Sequence, residues 1–310
     1  MYKEYFIYLA SIASETKMVK NESAVNYLRR IIDTSNDIRA KYEKNVEGAC
    51  KAILEFNKGL IDALCEIVPA VKPQAAYYEM YGPAGVKALY DTQEYAKSKG
   101  MYVITDGKRN DIGATMEAYT NAHLGTTAVG DNISEAFGAD ALTVNGYLGT
   151  DGIAPLLKVC KEKDKGIYVL VKTSNPSSGE LQDLKLEDGT PIYAKMGDLC
   201  EMWGADTIGK YGYSAVGAVV GATYPEMLTE LRKRLPHTMF LVPGYGAQGG
   251  GAEGLKGGFD ENGLGAIVNS SRAVMCAYQK EGCDEREFAK AARREVLRMR
   301  EDITQYINLK

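Results

Sequence analysis

The sequence predicts an α/β fold of the (β/α)8 TIM-barrel class. Short apolar runs typical of buried strands alternate with longer segments of helical periodicity along most of the 310 residues. Seven strands are clear, and this alternation favours a parallel sheet. Seven or eight such units in a chain of this length fit a closed barrel better than a doubly wound sheet. We therefore expect one barrel domain over residues 1–310, with its site at the C-terminal ends of the strands.

The first 35 residues form an atypical N-terminal segment. Residues 5–13 are compatible with a strand or with a buried helical turn, and residues 24–32 look helical. The eighth strand has to come from this segment. A barrel without its first strand would leave the edges of strands 2 and 8 exposed.

The first half of the remaining chain is predicted to contain three helices and three strands. In order, these are a helix over 47–67, a strand over 69–72, a helix over 82–98, a strand over 102–106, a helix over 114–124 and a strand over 141–145. The first helix shows the pattern most clearly, with an apolar stripe formed by Ala49, Ile53, Phe56, Leu60 and Leu64.

The second half continues the alternation. It is predicted to contain a helix over 153–161, a strand over 167–172, a helix over 193–211, a strand over 215–221, a helix over 225–235, and strands over 239–242 and 266–268. A last helix is expected to be capped by Asp284. Its inward face is predicted to carry Phe288, Ala292, Val296, Met299 and Ile303.

Composition narrows the classes of function. With 37 basic and 41 acidic residues and a net charge of −4, the chain shows no basic surface for nucleic acid or for an acidic membrane. Six cysteines without a Cys-x-x-Cys pair, and only two histidines, predict reduced thiols, a cytoplasmic location and no zinc site. The apolar run over 6–13 is short and lies between Glu4 and Glu15, which argues against export and against a membrane span.

The segment Asp-Gly-Lys-Arg-Asn-Asp-Ile over 106–112 follows the predicted strand 102–106. Side chains two apart on a strand point to the same side, so we expect Asp106 and Lys108 to project together. Asp111 lies past the strand, where alternation no longer fixes its direction. Spacing alone fits a solvated charge cluster equally well.

Two further polar positions stand at strand ends. Lys72 ends a buried strand, so it is either an edge lysine whose ammonium reaches solvent or a site residue in a polar mouth. The hydroxyl-rich segment 172–179 follows the strand 167–172. Turns of this composition usually cap helices.

The last two strands are followed by segments suited to phosphate. The glycine-rich segment 243–251 contains Gly-x-Gly-x-x-Gly, but Asp260 and Glu261 come too soon for a dinucleotide fold, which leaves a surface loop or a phosphate-binding lid. After the strand 266–268, Ser271 and Arg272 stand where these barrels bind phosphate. An arginine there can grip phosphate bidentately while the next helix start offers N–H groups, and the alternative is a plain junction between loop and helix.

The Asp-x-Lys-x-x-Asp-Ile pattern, continued by Gly113, Ala114 and Thr115, resembles the signature of the orotidine 5′-phosphate decarboxylase family. The resemblance is to its longer bacterial branch and extends from about residue 36 to the C-terminus. It implies a carboxy-lyase that converts orotidine 5′-phosphate to UMP, the last step of de novo pyrimidine nucleotide biosynthesis. It further implies a homodimer with shared sites and no cofactor.

The resemblance also implies a role for each site residue. Asp106 and Lys108 would face the substrate carboxylate, with Lys108 as the proton donor, while Asp111 and Thr115 would act across the two-fold axis and Lys72 would complete the charge array. The remaining assignments concern the base and the phosphate. Ser174 would meet the amide edge of the pyrimidine, with Thr173 and Ser177 as alternatives, and Gln248 and Arg272 would grip the phosphate.

One family feature is missing. The first strand of the family ends in Gly-Leu-Asp, which holds the ribose, and this tripeptide does not occur here; Asp33 is at most a chance replacement. Two other functions therefore remain open: a Mg²⁺-dependent sugar-phosphate decarboxylase or aldolase of the same superfamily, and an inert nucleotide-binding barrel. Arg109, Ile112 and the Ser-Asn-Pro turn over 174–176 favour the nucleotide enzyme.

Overall fold

The structure is a computed structural model that describes residues 8–10, 36–246 and 251–307. The strands are β1 (Tyr8–Ala10), β2 (Ala70–Val71), β3 (Tyr102–Arg109), β4 (Thr127–Val129), β5 (Asn132–Ser134), β6 (Ala141–Val144), β7 (Gly166–Lys172), β8 (Val216–Val220), β9 (Phe240–Pro243) and β10 (Ala266–Ser270). The longer helices are α1 (Asn36–Ala40), α2 (Val46–Leu64), α3 (Ala76–Glu79), α4 (Gly82–Ser98), α5 (Gly113–His123), α6 (Thr150–Lys163), α7 (Gly179–Gln182), α8 (Ile192–Gly204), α9 (Pro225–Arg234), α10 (Ala252–Leu255), α11 (Arg272–Met275), α12 (Ala277–Glu281) and α13 (Phe288–Thr304). Short 3₁₀ turns cover Pro176–Ser178, Ala205–Thr207, Lys256–Gly258 and Glu285–Glu287.

The parallel strands follow the order β1-β10-β9-β8-β7-β6-β3-β2 of a closed barrel. The predicted (β/α)8 class is therefore confirmed. The first strand lies within the segment that the sequence left open, because β1 pairs with β2 in the register Leu9 to Ala70 and Ala10 to Val71. The helix expected over 24–32 lies outside the described residues.

Two compact units make up the described chain. The larger unit contains residues 104–269 and 302–307, and its parallel strands β6, β7 and β8 are almost entirely buried. Leu142, Val169, Ala218 and Phe240 have no measurable exposure. Strands buried on both faces read as continuous apolar runs, which is why the sequence located them well. The expectation of one domain over 1–310 stays a prediction.

The smaller unit contains residues 8–10, 36–103 and 270–301. In it α2 packs on α4, and the buried Asn57 amide donates to the Tyr78 hydroxyl at 2.8 Å and to Thr92 Oγ1 at 3.1 Å. Burial raises the pKa of Tyr78 to about 12. The Phe56 and Phe288 rings stack with centroids 4.5 Å apart, which joins α2 to α13.

Several boundaries differ from the sequence prediction. The strand β3 continues to Arg109 instead of ending at Asp106, and α8 ends at Gly204 before a 3₁₀ turn. An antiparallel hairpin of β4 and β5 was not predicted. Asp284 does cap the last helical segment, accepting from the Arg286 N–H at 2.9 Å, and all five predicted inward residues of α13 are buried. None of the described helices is long and apolar enough to cross a membrane.

Candidate active site

The C-terminal end of β3 departs from regular strand geometry. Lys108 has a φ of 47°, in the left-handed region that side chains other than glycine seldom adopt. Pairing of β3 with β6 shifts register between Thr105 and Arg109 and resumes where Arg109 pairs with Val144. An irregular backbone of this kind re-aims side chains and is common beside functional sites.

Asp106 and Lys108 form an ion pair at this irregularity. The Lys108 ammonium lies 2.7 Å from Asp106 Oδ1, and the two side chains are 39% and 5% exposed. The carboxylate is therefore buried while the ammonium reaches the surface of the site. The sequence prediction that these side chains project together is confirmed, although the backbone that carries Lys108 departs from regular strand geometry.

Thr143, at the centre of β6, holds this pair from the neighbouring strand. Its hydroxyl donates to Asp106 Oδ1 at 2.8 Å and accepts from the backbone N–H of Lys108 at 3.0 Å. Thr143 is itself 1% exposed. One hydroxyl thus fixes both the carboxylate and the unusual backbone that carries the lysine. Sequence analysis missed this residue because it lies in a run predicted only as a strand.

Arg109, the last residue of β3, makes two side-chain contacts within the larger unit. The Arg109 guanidinium donates to the Gly107 carbonyl at 2.7 Å and lies over the Tyr119 ring, 5.8 Å from its centroid. Asp111 is half-buried and its carboxylate accepts from the Ile112 N–H at 2.9 Å. Thr115 is exposed on the first turns of α5.

The end of β7 presents the predicted serine. Ser174 is half-buried and rests on Gly221, where an added Cβ would lie 3.1 Å from the Ser174 Cβ. Gln182 secures the residue before it, accepting from the Thr173 N–H at 3.0 Å and donating to the Thr173 hydroxyl at 2.8 Å. Thr173 in turn donates to Asn175 at 2.6 Å. Among the three hydroxyl residues that the sequence proposed, Ser174 is the one whose close packing requires a glycine opposite.

Lys172, at the end of β7, is a site-adjacent residue that sequence analysis did not single out. It is fully buried, with its ammonium 2.6 Å from Asp183 Oδ1 and 3.3 Å from Ser178 Oγ. The rings of Tyr193 and Tyr224 lie 5.7 and 4.8 Å from the ammonium. The signal that could have found it is the one applied to Lys72, namely a lysine that closes a buried strand.

The other predicted site residues belong to the smaller unit or lie outside the described residues. Lys72 directly follows β2 and is 5% exposed. Ser271 and Arg272 are half-buried, and Arg272 begins α11. Gln248 and Asp33 lie outside the described residues.

His123, a histidine of the same unit, has a pKa that is shifted by its burial. Burial, together with the Arg109 charge, lowers the pKa of His123 from 6.5 to about 4. The His123 ring stacks on Phe137 with centroids 5.0 Å apart.

Within the described ranges no group of three or more His, Cys, Asp and Glu side chains is arranged to hold a metal ion.

Comparisons with known proteins point to one family. The model of the Orotidine 5′-phosphate decarboxylase / HUMPS family matches residues 52–282. A protein of Rhodopirellula baltica named orotidine 5′-phosphate decarboxylase is 46% identical over 265 residues, which are 84% of this chain and 86% of that protein. A protein of the same name from Clostridium tetani is 42% identical over 283 residues, 90% of this chain and 93% of its own. The solved structure of Leishmania donovani OMP decarboxylase is 29% identical with a TM-score of 0.64, and the alignment covers 88% of this chain and 98% of that one.

Proposed function

Because the chain belongs to the orotidine 5′-phosphate decarboxylase / HUMPS family, we propose that it decarboxylates orotidine 5′-phosphate to UMP. This makes it a carboxy-lyase of pyrimidine nucleotide biosynthesis. The bond between C6 of the pyrimidine and the carboxylate carbon breaks and its electron pair stays on C6. Carbon dioxide leaves, and a proton takes its place on C6.

The observation that carries the proposal is the ion pair at the end of β3. The Lys108 ammonium is held 2.7 Å from a carboxylate that is itself buried and fixed by Thr143. An ammonium in this position stabilises the electron pair on C6 and then donates the proton to it. The Asp106 carboxylate meets the substrate carboxylate, and their repulsion is relieved as carbon dioxide leaves.

Proton donation is only part of the catalysis. General acid catalysis supplies roughly 10²- to 10⁴-fold, whereas enzymes accelerate slow reactions up to about 10¹⁷-fold or more. Binding energy from parts of the substrate remote from C6 has to make up the difference. We assign this duty to Gln248 and Arg272, which the family resemblance implies for the phosphate, and to the adjacent Ser271.

The remaining residues complete the proposed site. Ser174 meets the amide edge of the pyrimidine, and its hydroxyl suits this role because the residue is fixed on both sides by packing and hydrogen bonds. Lys72 supplies a second cation, since it directly follows β2, at the end of the strands where barrels of this class place their sites. Asp111 adds a further carboxylate.

The active form is proposed to be a homodimer with shared sites. Asp111 and Thr115 would act in the partner's site, and exposed large apolar side chains in the same unit support an association surface. Ile112, Val129, Ile133 and Tyr147 are 51%, 73%, 70% and 75% exposed. Exposed apolar surface of this kind marks association sites.

The free state of all six cysteines supports the cytoplasm as the location of the protein.

The test is the loss of absorbance as purified, EDTA-treated protein acts on orotidine 5′-phosphate. We expect turnover by the wild type and none above background by Lys108→Ala. Turnover lost on chelation and restored by Mg²⁺ would favour the sugar-phosphate branch of the family instead. A folded wild type that binds UMP without turnover would contradict the proposal and leave a nucleotide-binding barrel.

A further inference from the structure

The segment between β7 and α8 is tied down at its base by a fully buried lysine. Lys172 has no exposed surface, and its ammonium contacts the Asp183 carboxylate at 2.6 Å. A charge taken out of water is costly unless it is paired, and even a buried pair seldom adds to stability compared with an apolar pair of the same size. Its presence at this position therefore calls for a reason other than stability.

The contacts of Lys172 and its neighbours identify what the pair does. Residues 172 and 173 enter the loop, and residues 182 and 183 leave it. The entering ammonium is bound by the leaving carboxylate, and Thr173 is bound at its backbone N–H and its hydroxyl by the Gln182 amide. Two adjacent cross-links thus close the loop at its base, between residues that are 11 and 9 apart in the chain.

Ser174 is the first residue above this closure. Its position on Gly221 leaves no room for adjustment, because an added Cβ there would lie 3.1 to 3.3 Å from three Ser174 atoms. The side chain makes no hydrogen bond within the described part of the chain. The closed base therefore aims a hydroxyl that is available to a ligand.

We propose that the Lys172–Asp183 ion pair is a positioning element for recognition of the pyrimidine base, which it exerts through Ser174. The inference rests on the proposed function, since Ser174 is taken to meet the base. The pair does not touch the reacting carbon. Its loss loosens the loop and weakens binding of the base, while binding at the phosphate end is unaffected.

The experiment compares two ligands in the full-length protein. UMP carries the base and ribose 5-phosphate does not, so the ratio of their dissociation constants isolates recognition of the base. In Asp183→Asn we expect the UMP constant to rise about tenfold, the effect of losing one hydrogen bond to the ligand, with the ribose 5-phosphate constant unchanged. KM for orotidine 5′-phosphate should rise with it. Lys172→Arg, which keeps the charge, should restore most of the UMP affinity that Lys172→Met loses.

A double-mutant cycle separates positioning from general loss of structure. If the pair acts through Ser174, Asp183→Asn should have no further effect on UMP binding in a Ser174→Ala background. Additive effects, or equal weakening of both ligands, would overturn the proposal. Should Lys172→Met fail to fold, Asp183→Asn alone decides, because Asp183 is 43% exposed and its replacement leaves the core filled.

Binding and turnover of the wild type distinguish failure of the proposed reaction from failure of the positioning proposal. A wild type that binds UMP more tightly than ribose 5-phosphate, yet does not turn over substrate, would contradict the proposed reaction and still leave the positioning proposal open to the same cycle. A wild type that binds both ligands equally would overturn the positioning proposal, because it would show no recognition of the base.

Discussion

At the scale of single residues, the site depends on a hydroxyl that no motif marks. Thr143 donates to Asp106 and accepts from the Lys108 backbone, so it fixes both members of the ion pair. Lys108 needs that support because its backbone has a φ of 47°, a conformation that costs about 1–3 kcal/mol and persists only where the surrounding structure enforces it. The signature of the family marks the two side chains that we propose to react, and the Thr143 hydroxyl holds both of them in place.

Replacing Thr143 with valine tests this role. Thr143→Val keeps the shape but removes the donor to Asp106 and the acceptor for the Lys108 N–H. A lost buried hydrogen bond of this kind costs about 1–3 kcal/mol, so we expect kcat to fall about 10- to 100-fold. Thr143→Ser keeps the hydroxyl and should stay within a few-fold of the wild type. Equal kcat values for the valine and serine variants would contradict the assignment.

At the scale of elements, one glycine allows two helices of the smaller unit to approach. Gly59 lies within α2, and an added Cβ would stand 2.6 Å from Cζ of Phe288 at the start of α13. The Phe288 ring cannot move aside freely because it is 8% exposed and stacked on Phe56. Glycine is normally unfavourable inside a helix by about 0.5–1 kcal/mol, so its presence here reflects packing.

Gly59→Ala should therefore destabilise the protein although alanine is the better helix former. Overpacking of a filled core costs about 1–3 kcal/mol, which outweighs the gain in helix propensity. Urea denaturation measures the change in the free energy of unfolding. In a Phe288→Leu background, where the ring is absent, the same substitution should be neutral or stabilising. Stabilisation in the wild-type background would show that the two helices separate without cost.

At the scale of the whole molecule, association and pH are the properties to measure. If Asp111 acts in the partner's site, a mixed dimer of Lys108→Ala and Asp111→Ala protomers has one intact site. A random 1:1 mixture contains about half mixed dimers, so we expect about a quarter of wild-type activity. The control is a mixture of Lys108→Ala with Asp106→Ala, whose sites are all incomplete if both residues act in their own protomer. Failure of the first mixture to exceed the second would refute the shared site.

The buried histidine makes stability depend on pH. Because the pKa of His123 is about 4 in the folded state and about 6.5 in an unfolded chain, the unfolded state binds the proton first. Stability is complete above about pH 6.5 and is lost as the pH falls toward 4. Linkage gives a loss of about 2 kcal/mol between pH 7 and pH 5. Urea denaturation at the two pH values should show this loss in the wild type and a smaller one in His123→Phe.

The sequence alone determined the class of fold and pointed to the segment in which we propose that the reaction takes place. Apolar strands buried on both faces and helices with an apolar stripe are local patterns, so alternation was sufficient to predict a parallel barrel and most of its elements. The segment over 106–112 identified Asp106 and Lys108, because residues adjacent in the chain need little tertiary information to be placed together. The position of the first strand, by contrast, could not be read from its composition. Its pairing with β2 settled it.

Only the tertiary structure decided what holds these residues in place. Thr143 is 37 residues from Asp106 in the chain, and Asp183 is 11 from Lys172. The first of these contacts depends on the register of two strands, and the second depends on the path of a loop. Neither contact produces a periodic pattern in the sequence. The irregular backbone at Lys108 is a further example, because it coincides with a shift in the register of pairing between β3 and β6. The identity of the proposed reacting groups is thus read from local sequence, whereas their geometry depends on contacts distant in the chain.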